Sequence, residues 1–318
     1  MKFSDIICTN SQINGLEQSI YTNTVIQSLI IEGQEGTGKK MVANIYANAL
    51  VCIEDKHKPC GKCKGCKLFL TDNHPDIFQV YRQKKKSIGV DEIKTLVKQA
   101  VIKPNESTRK VFIINDAHTL TTQAQNALLK LIEEPPSYLS IILICVNTMP
   151  ILETIISRCS VIPMPYLSYD NIVNGLVEKG VEKDKANIIA QGVNGSLGNA
   201  LSRYSDSEYI EKRDELLDIF FLLDASKSKG YELASQKRDN SKEIICMWQS
   251  LVRDALMYLN DEIDNIENID KIDKIENYAK RHNKEELIIK LEALCDAEKR
   301  LYFNSQYKLV LDNLMTRI

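Results

Sequence analysis

Four cysteines, Cys52, Cys60, Cys63 and Cys66, fall within 15 residues, where an even scatter of the chain's nine would place about 0.4. Their spacing, C-x7-C-x2-C-x2-C, makes two overlapping C-x2-C pairs that carry thiolates to a common centre. Gly61 and Gly65 allow the tight loops between them. Four soft sulfur ligands suit a tetrahedral, closed, structural zinc site with no coordination position left for catalysis. An iron–sulfur cluster or redox dithiols would use the same residues; zinc is the reading the spacing favours. So short a segment cannot build a core, and the metal would hold a small protruding module rigid. The other five cysteines, Cys8, Cys145, Cys159, Cys246 and Cys295, stand apart among apolar neighbours and read as small hydrophobes of a reducing compartment.

Gly33-Gln34-Glu35-Gly36-Thr37-Gly38-Lys39-Lys40 is a second chemical element. It follows an apolar run and opens a helical pattern, the place of a P-loop, where backbone N–H groups and a helix start cradle phosphates and a lysine reaches the terminal ones. Gly33, Gly36, Thr37, Gly38 and Lys39 would form the cradle. The match is incomplete, because a P-loop ends in Ser or Thr to ligate magnesium and Lys40 stands there. ATP or ADP binds here weakly, or the loop is a turn inherited without its chemistry. The partner element, a buried strand ending in carboxylates, is Val111–Ile114 followed by Asn115-Asp116. An amide occupies the first acidic position, and Asp116 is one methylene shorter than a glutamate that would orient water. Hydrolysis by this chain is not expected. Ser157-Arg158-Cys159 presents an arginine between two small residues, a pattern with little meaning by itself.

These residues need a scaffold, and the first half of the chain supplies strand–helix alternation. Leu29-Ile30-Ile31, Val111–Ile114 and Ile141–Val146 read as buried strands. Helical stripes follow at Met41–Leu50, Ile93–Ala100 and Ala124–Leu131, the last stopped by Pro135-Pro136. Such alternation implies a parallel sheet covered by helices. Past Pro163-Met164-Pro165 only helical patterns remain. Leu287, Ile288, Leu291 and Leu294 form one stripe, and Tyr307, Val310, Leu311 and Leu314 another. Ile263, Ile266, Ile269, Ile272 and Ile275 recur every three residues, which drifts around a 3.6-residue helix and leaves a short helix or a polar loop open.

The 318 residues carry 41 Lys and Arg against 43 Asp and Glu, which excludes a histone-like, wholly electrostatic nucleic-acid binder. No apolar run approaches the roughly 18 residues of a membrane span. The start, Met1-Lys2-Phe3-Ser4-Asp5, lacks the apolar stretch of a secretion signal, so a soluble cytoplasmic protein is expected.

Taken together, the incomplete P-loop, the four cysteines after its helix, His74-Pro75-Asp76, Asn126–Lys130 with Glu133-Glu134-Pro135-Pro136, Ser157-Arg158-Cys159 and Gly195–Leu201 resemble the clamp-loader family of AAA+ proteins, which serves bacterial DNA polymerase III. The detailed match covers about residues 1–205. The resemblance implies an α/β then all-α chain: an AAA+ P-loop-type domain over 1–166 carrying the zinc module at 52–66, a small helical lid over 167–206, and a helical collar over 207–318. It further implies that five subunits join in a ring through their collars. Arg158 would reach a neighbour's ATP site as an arginine finger; an internal ion pair or a DNA phosphate contact is the plainer role. Partners implied are gamma/tau and delta clamp-loader subunits, with the sliding clamp and primer-template DNA reached through the assembly.

Two other functions compete. The gamma/tau-type ATPase motor shares the zinc module but should keep a P-loop threonine, an Asp-Glu pair and a lid arginine. Those positions here read Lys40, Asn115-Asp116 and Gly198, which favours a non-hydrolysing scaffold. The second competitor is a stand-alone zinc-containing DNA-binding protein using Arg82, Lys84, Lys85 and Lys86. No aromatics interleave that run to stack bases, and a solvated loop explains it as well.

Overall fold

In β1 (Ser28–Glu32), Leu29 and Ile31 point to one face and Ile30 to the other, and all three are buried. A strand apolar on both faces belongs inside a covered parallel sheet. That is its place in the computed structural model, which describes the chain except residues 1, 8–10, 23, 56, 83–86, 192, 194, 238–239 and 303–305, and the side chains of 264 and 302. The sheet runs β2 (Ile77–Val80), β3 (Lys110–Ile114), β4 (Leu139–Cys145), β1, β5 (Ser160–Pro163), with every neighbouring pair parallel. Register aligns Ser28 with Ile141 and Leu29 with Ser160.

Each face of the sheet has its own core. Leu29, Ile31, Val111, Ile113 and Ile142 pack with α1 (Ser11–Tyr21) and α2 (Lys39–Val51) through Leu16, Val42, Ile45 and Tyr46. Ile30, Phe112, Ile114 and Leu143 pack with α4 (Val90–Ala100), α5 (Thr122–Glu133) and α6 (Glu153–Ile156) through Ile93, Leu96, Leu128 and Ile155. The remaining helix before β2, α3 (Lys64–Leu70), belongs to the cysteine module. The two edge strands are only four residues long and are not marked in sequence by full burial: β2 is half-buried throughout, and β5 ends on a proline.

By contacts the chain divides into two units, residues 1–175 with 195–199, and 176–194 with 200–318. The helices from residue 169 onward are α7 (Tyr169–Glu178), α8 (Lys183–Ala190), α9 (Leu197–Ser205), α10 (Tyr209–Ala225), α11 (Lys227–Gln236), α12 (Ser241–Leu259), α13 (Ile272–Ala279), α14 (Lys284–Tyr302) and α15 (Tyr307–Met315). The second unit is centred on Trp248, fully buried against Phe220, with its indole N–H donating to the Leu216 carbonyl at 3.0 Å. Both C-terminal stripes are helical, but Ile288 is exposed rather than buried.

The isoleucine triplets resolve into two 3-10 turns, Ile263–Asn265 and Ile269–Lys271, running into α13. Ile263 and Ile269 each open one of these turns, Ile266 lies between them, and Ile272 and Ile275 belong to α13. Burial does not follow the period: Ile266 and Ile275 are buried, whereas Ile263 and Ile269 are exposed. Polar residues anchor the segment instead. Asp254, sealed inside α12, accepts from the Glu267 N–H at 3.1 Å, the Asn268 N–H at 2.8 Å and the Asn268 amide at 2.7 Å. Buried Arg213 clamps Asp270 with both amino groups at 2.9 Å and reaches Asn268 and Gln191 at 2.8 Å each.

Among the described residues no helix is long and apolar enough to cross a membrane. Lys84, Lys85, Lys86 and Cys8 lie outside the described residues, and Arg82 is exposed.

Candidate functional site

The loop after β1 leaves the carboxyl end of the sheet and turns into α2 with Gly36 at φ +74° and Gly38 at +89°, where side chains are disfavoured. Lys39, the first residue of α2, is buried, and burial lowers its pKa. Its ammonium donates back into its own loop, to the Gly33 carbonyl and to the Gln34 carbonyl at 2.5 Å. The Thr37 hydroxyl donates to the Gln34 carbonyl at 2.8 Å.

From the other side the turn at 195–199 lies on the loop. Ser196 Oγ donates to the Glu35 carbonyl at 3.0 Å, and the Gly198 N–H to the Gly36 carbonyl at 2.9 Å. A Cβ on Gly198 would stand 2.6 Å from Gly36 Cα, so this position accepts no side chain, least of all a nucleotide-sensing arginine. Lys40, exposed, stands 5.9 Å from the Tyr81 ring centre. Asn115 is buried, and its amide donates to the Val80 carbonyl at 3.3 Å, tying β3 to β2. Asp116 sits in left-handed backbone at φ 52°. The sequence-derived cradle residues are therefore brought together, with their lysine and four carbonyls already engaged inside the protein.

Arg158 lies elsewhere. It follows α6 and precedes β5, whose first residue Ser160 pairs with Leu29 at the amino end of β1. Because the strands are parallel, Arg158 leaves the end of the sheet opposite its own P-loop. Its guanidinium donates to the Thr154 carbonyl at 3.0 Å and pairs with Glu133 at 3.2 Å. Both side chains of that pair are more than two-fifths exposed, where such pairs contribute about 0–1 kcal/mol. The arginine can be taken over by a stronger anion.

The four cysteines converge as their spacing implies. Their sulfurs lie within 4.8 Å of one another, with Cys52 to Cys63 and Cys60 to Cys66 each at 3.9 Å. A tetrahedron of metal–sulfur bonds near 2.3 Å has edges of about 3.8 Å, so the set could hold a metal ion and fits zinc. Cys52 closes α2 and Cys63 caps α3, so two helix ends fix the ligands. Backbone N–H groups already point at sulfur: Lys62 and Cys63 donate to Cys60 at 3.4 and 3.3 Å, and Cys66 donates to Cys63 at 3.4 Å. Burial works against ionisation of Cys60, but these N–H groups outweigh it and hold its thiol at about 6. Burial pushes Cys52 and Cys66 up.

His74-Pro75-Asp76 carried no chemistry that spacing could reveal, and its role is structural. Asp76, buried, accepts from the N–H groups of Asn105, Glu106 and Ser107 at 2.6, 2.8 and 2.9 Å and from the Ser107 hydroxyl at 3.0 Å. Glu106 of that turn pairs with Lys64 of the cysteine module at 2.7 Å. Nothing in sequence marks residues 29 to 31 positions apart as partners.

Comparison with known proteins agrees with this architecture. Residues 8–168 match the family described as DNA polymerase III, delta subunit, and residues 207–318 that described as DNA polymerase III, delta subunit, C terminal. DNA polymerase III subunit delta' of Bacillus subtilis (strain 168) is 27% identical over 307 residues, covering 94% of this chain and 93% of its own. Subunit tau of the same organism is 31% identical over 208 residues, 63% of this chain and 37% of its own. A gamma subunit-related protein of Thermotoga maritima shares the fold, with TM-score 0.51 and 20% identity over 95% of this chain and 97% of its own.

Proposed function

Because the chain belongs to the DNA polymerase III delta subunit family, we propose that it is a non-hydrolysing scaffold subunit of the bacterial clamp loader. It holds gamma/tau and delta subunits in one ring, and the ring opens the sliding clamp and closes it on primer-template DNA at the expense of ATP bound elsewhere. The working division is a sheet domain over 1–166, a lid over 167–206 and a collar over 207–318. The protein acts in the cytoplasm. Any polymerase chemistry belongs to the holoenzyme.

The supporting observation is the arrangement of the two ends of the sheet. At the carboxyl end, the P-loop lysine is folded into its own loop, Lys40 stands where the magnesium-binding hydroxyl would be, and Gly198 packs on Gly36 where a nucleotide-sensing arginine would stand. ATP or ADP held there would be structural. At the amino end, Arg158 stands on the surface in a weak, exchangeable ion pair. Arg158 serves a neighbouring subunit: its guanidinium enters that subunit's ATP site and stabilises charge on the transferring phosphoryl group. Cys52, Cys60, Cys63 and Cys66 hold Zn²⁺, which supplies a cross-link between the ends of α2 and α3 and no reaction step.

The test is DNA-stimulated ATPase of the reconstituted loader. Arg158→Ala should lower turnover sharply, since a site deprived of its finger loses about 10³–10⁵ in rate. Lys39→Ala should leave turnover unchanged. The opposite pattern would make this chain a motor.

A further inference from the structure

We propose that His74 is a positioning residue of the metal module, its Nε2–H donating to the buried thiolate pair Cys52 and Cys66 in the metal-bound protein. This rests on the zinc reading of the four cysteines. The ring is nearly sealed from solvent, at 5% exposure. The Asp76 N–H donates to Nδ1 at 3.1 Å, which makes Nδ1 the acceptor and places the proton of the neutral ring on Nε2. Nε2 has no partner and no access to water. A buried N–H without an acceptor is costly and calls for an explanation.

The surroundings of the ring indicate the acceptor. A Cβ on Gly65 would lie 3.5 Å from Nε2 and 2.5 Å from the Val51 carbonyl oxygen. Val51 immediately precedes Cys52, and Gly65 immediately precedes Cys66. These two are the buried members of the thiolate set, whereas Cys60 and Cys63 are half-buried. The ring therefore lies beside the backbone at Gly65, which itself packs on the Val51 carbonyl, so the next residue along the chain from each is one of the two buried ligands. A zinc bound by four thiolates carries net negative charge on sulfur, which N–H donors of the outer shell stabilise and orient. Pro75 and Asp76 hold the ring in place, because Asp76 is fastened by four hydrogen bonds to the turn at 105–107. Gly65 is required for the approach, since any side chain there would strike the Val51 carbonyl.

The test uses the full chain loaded with zinc or cobalt(II). Asn in place of His74 keeps an acceptor near the Nδ1 position and lacks the Nε2 donor; Gln carries an amide to the Nε2 position. In chelator competition, His74→Asn should weaken zinc binding about 10–100-fold, with His74→Gln restoring most of it. The sulfur-to-cobalt charge-transfer band should move in His74→Asn and return in His74→Gln. In the wild-type chain with ¹⁵N-labelled histidine, the Nε2–H resonance should shift on metal addition. An unmoved band and unchanged affinity in His74→Asn, or an Nε2–H signal indifferent to metal, overturns the proposal while leaving the zinc site intact. A wild-type chain that binds neither metal overturns the zinc reading and this inference with it.

Discussion

Asp76 shows how one residue can hold a loop. Burial alone would raise its carboxyl, but three backbone N–H groups and a hydroxyl outweigh burial and hold it below its ordinary 3.8. A carboxylate with a folded value below its unfolded one adds stability that is fully present above about pH 4 and lost as pH falls through the folded value. The acid side of the stability curve should therefore steepen on account of Asp76. Asp76→Asn keeps the shape but loses the charge that three N–H groups share, so it should destabilise by about 1–3 kcal/mol at pH 7. Urea midpoints measured from pH 7 down to pH 3 should fall less steeply in the variant; parallel curves would assign the acid response to other groups.

Elements meet in this protein through backbone as much as through side chains. The turn at 195–199 rests on the loop at 33–38, with Gly198 against Gly36, a fit that exists because neither residue has a Cβ. Gly198→Ala places its methyl 2.6 Å from a backbone carbon and 2.8 Å from a backbone oxygen, atoms that cannot swing aside. It should cost about 1–3 kcal/mol, read as a lower midpoint in thermal unfolding. An unchanged midpoint would mean that the turn is not held on the loop in solution. The opposite logic governs residues 263–275, where Asp254 and Arg213 fix the 3-10 turns through side chains. There the isoleucine repeat runs through two short 3-10 turns and into α13, and burial does not follow it.

At the scale of the whole chain, the two units carry different reporters. The chain's single tryptophan, Trp248, belongs to the helical unit, and the cysteine cluster to the sheet unit. In the chain loaded with zinc, removing the metal with a chelator should release the ends of α2 and α3 and lower the unfolding midpoint of the sheet unit by several degrees, at about 2–4 °C for each kcal/mol lost. Tryptophan fluorescence should keep its own transition. A fluorescence midpoint that falls in step with circular dichroism would show that the two units unfold as one.

Periodicity and spacing were enough for the central strands, for α2, α4 and α5 among the helices that cover them and for the cysteine cluster, but not for α1 or α6. Leu29–Ile31 and Val111–Ile114 are apolar on both faces, as strands of a covered parallel sheet are, and four thiols at this spacing suit a metal. The departures from P-loop chemistry at Lys40, Asn115 and Gly198 were equally legible, because a missing hydroxyl or carboxylate is a property of the residue itself. Edge strands β2 and β5 were not, since half-buried strands carry no strong pattern. Nor was the fastening of Asp76 to residues 105–107, the clamp of Arg213 on Asn268 and Asp270, or the approach of His74 to Gly65. Those contacts join residues distant in sequence, and only the closing of the sheet and the packing of helices decides which polar groups lose water together and must satisfy one another.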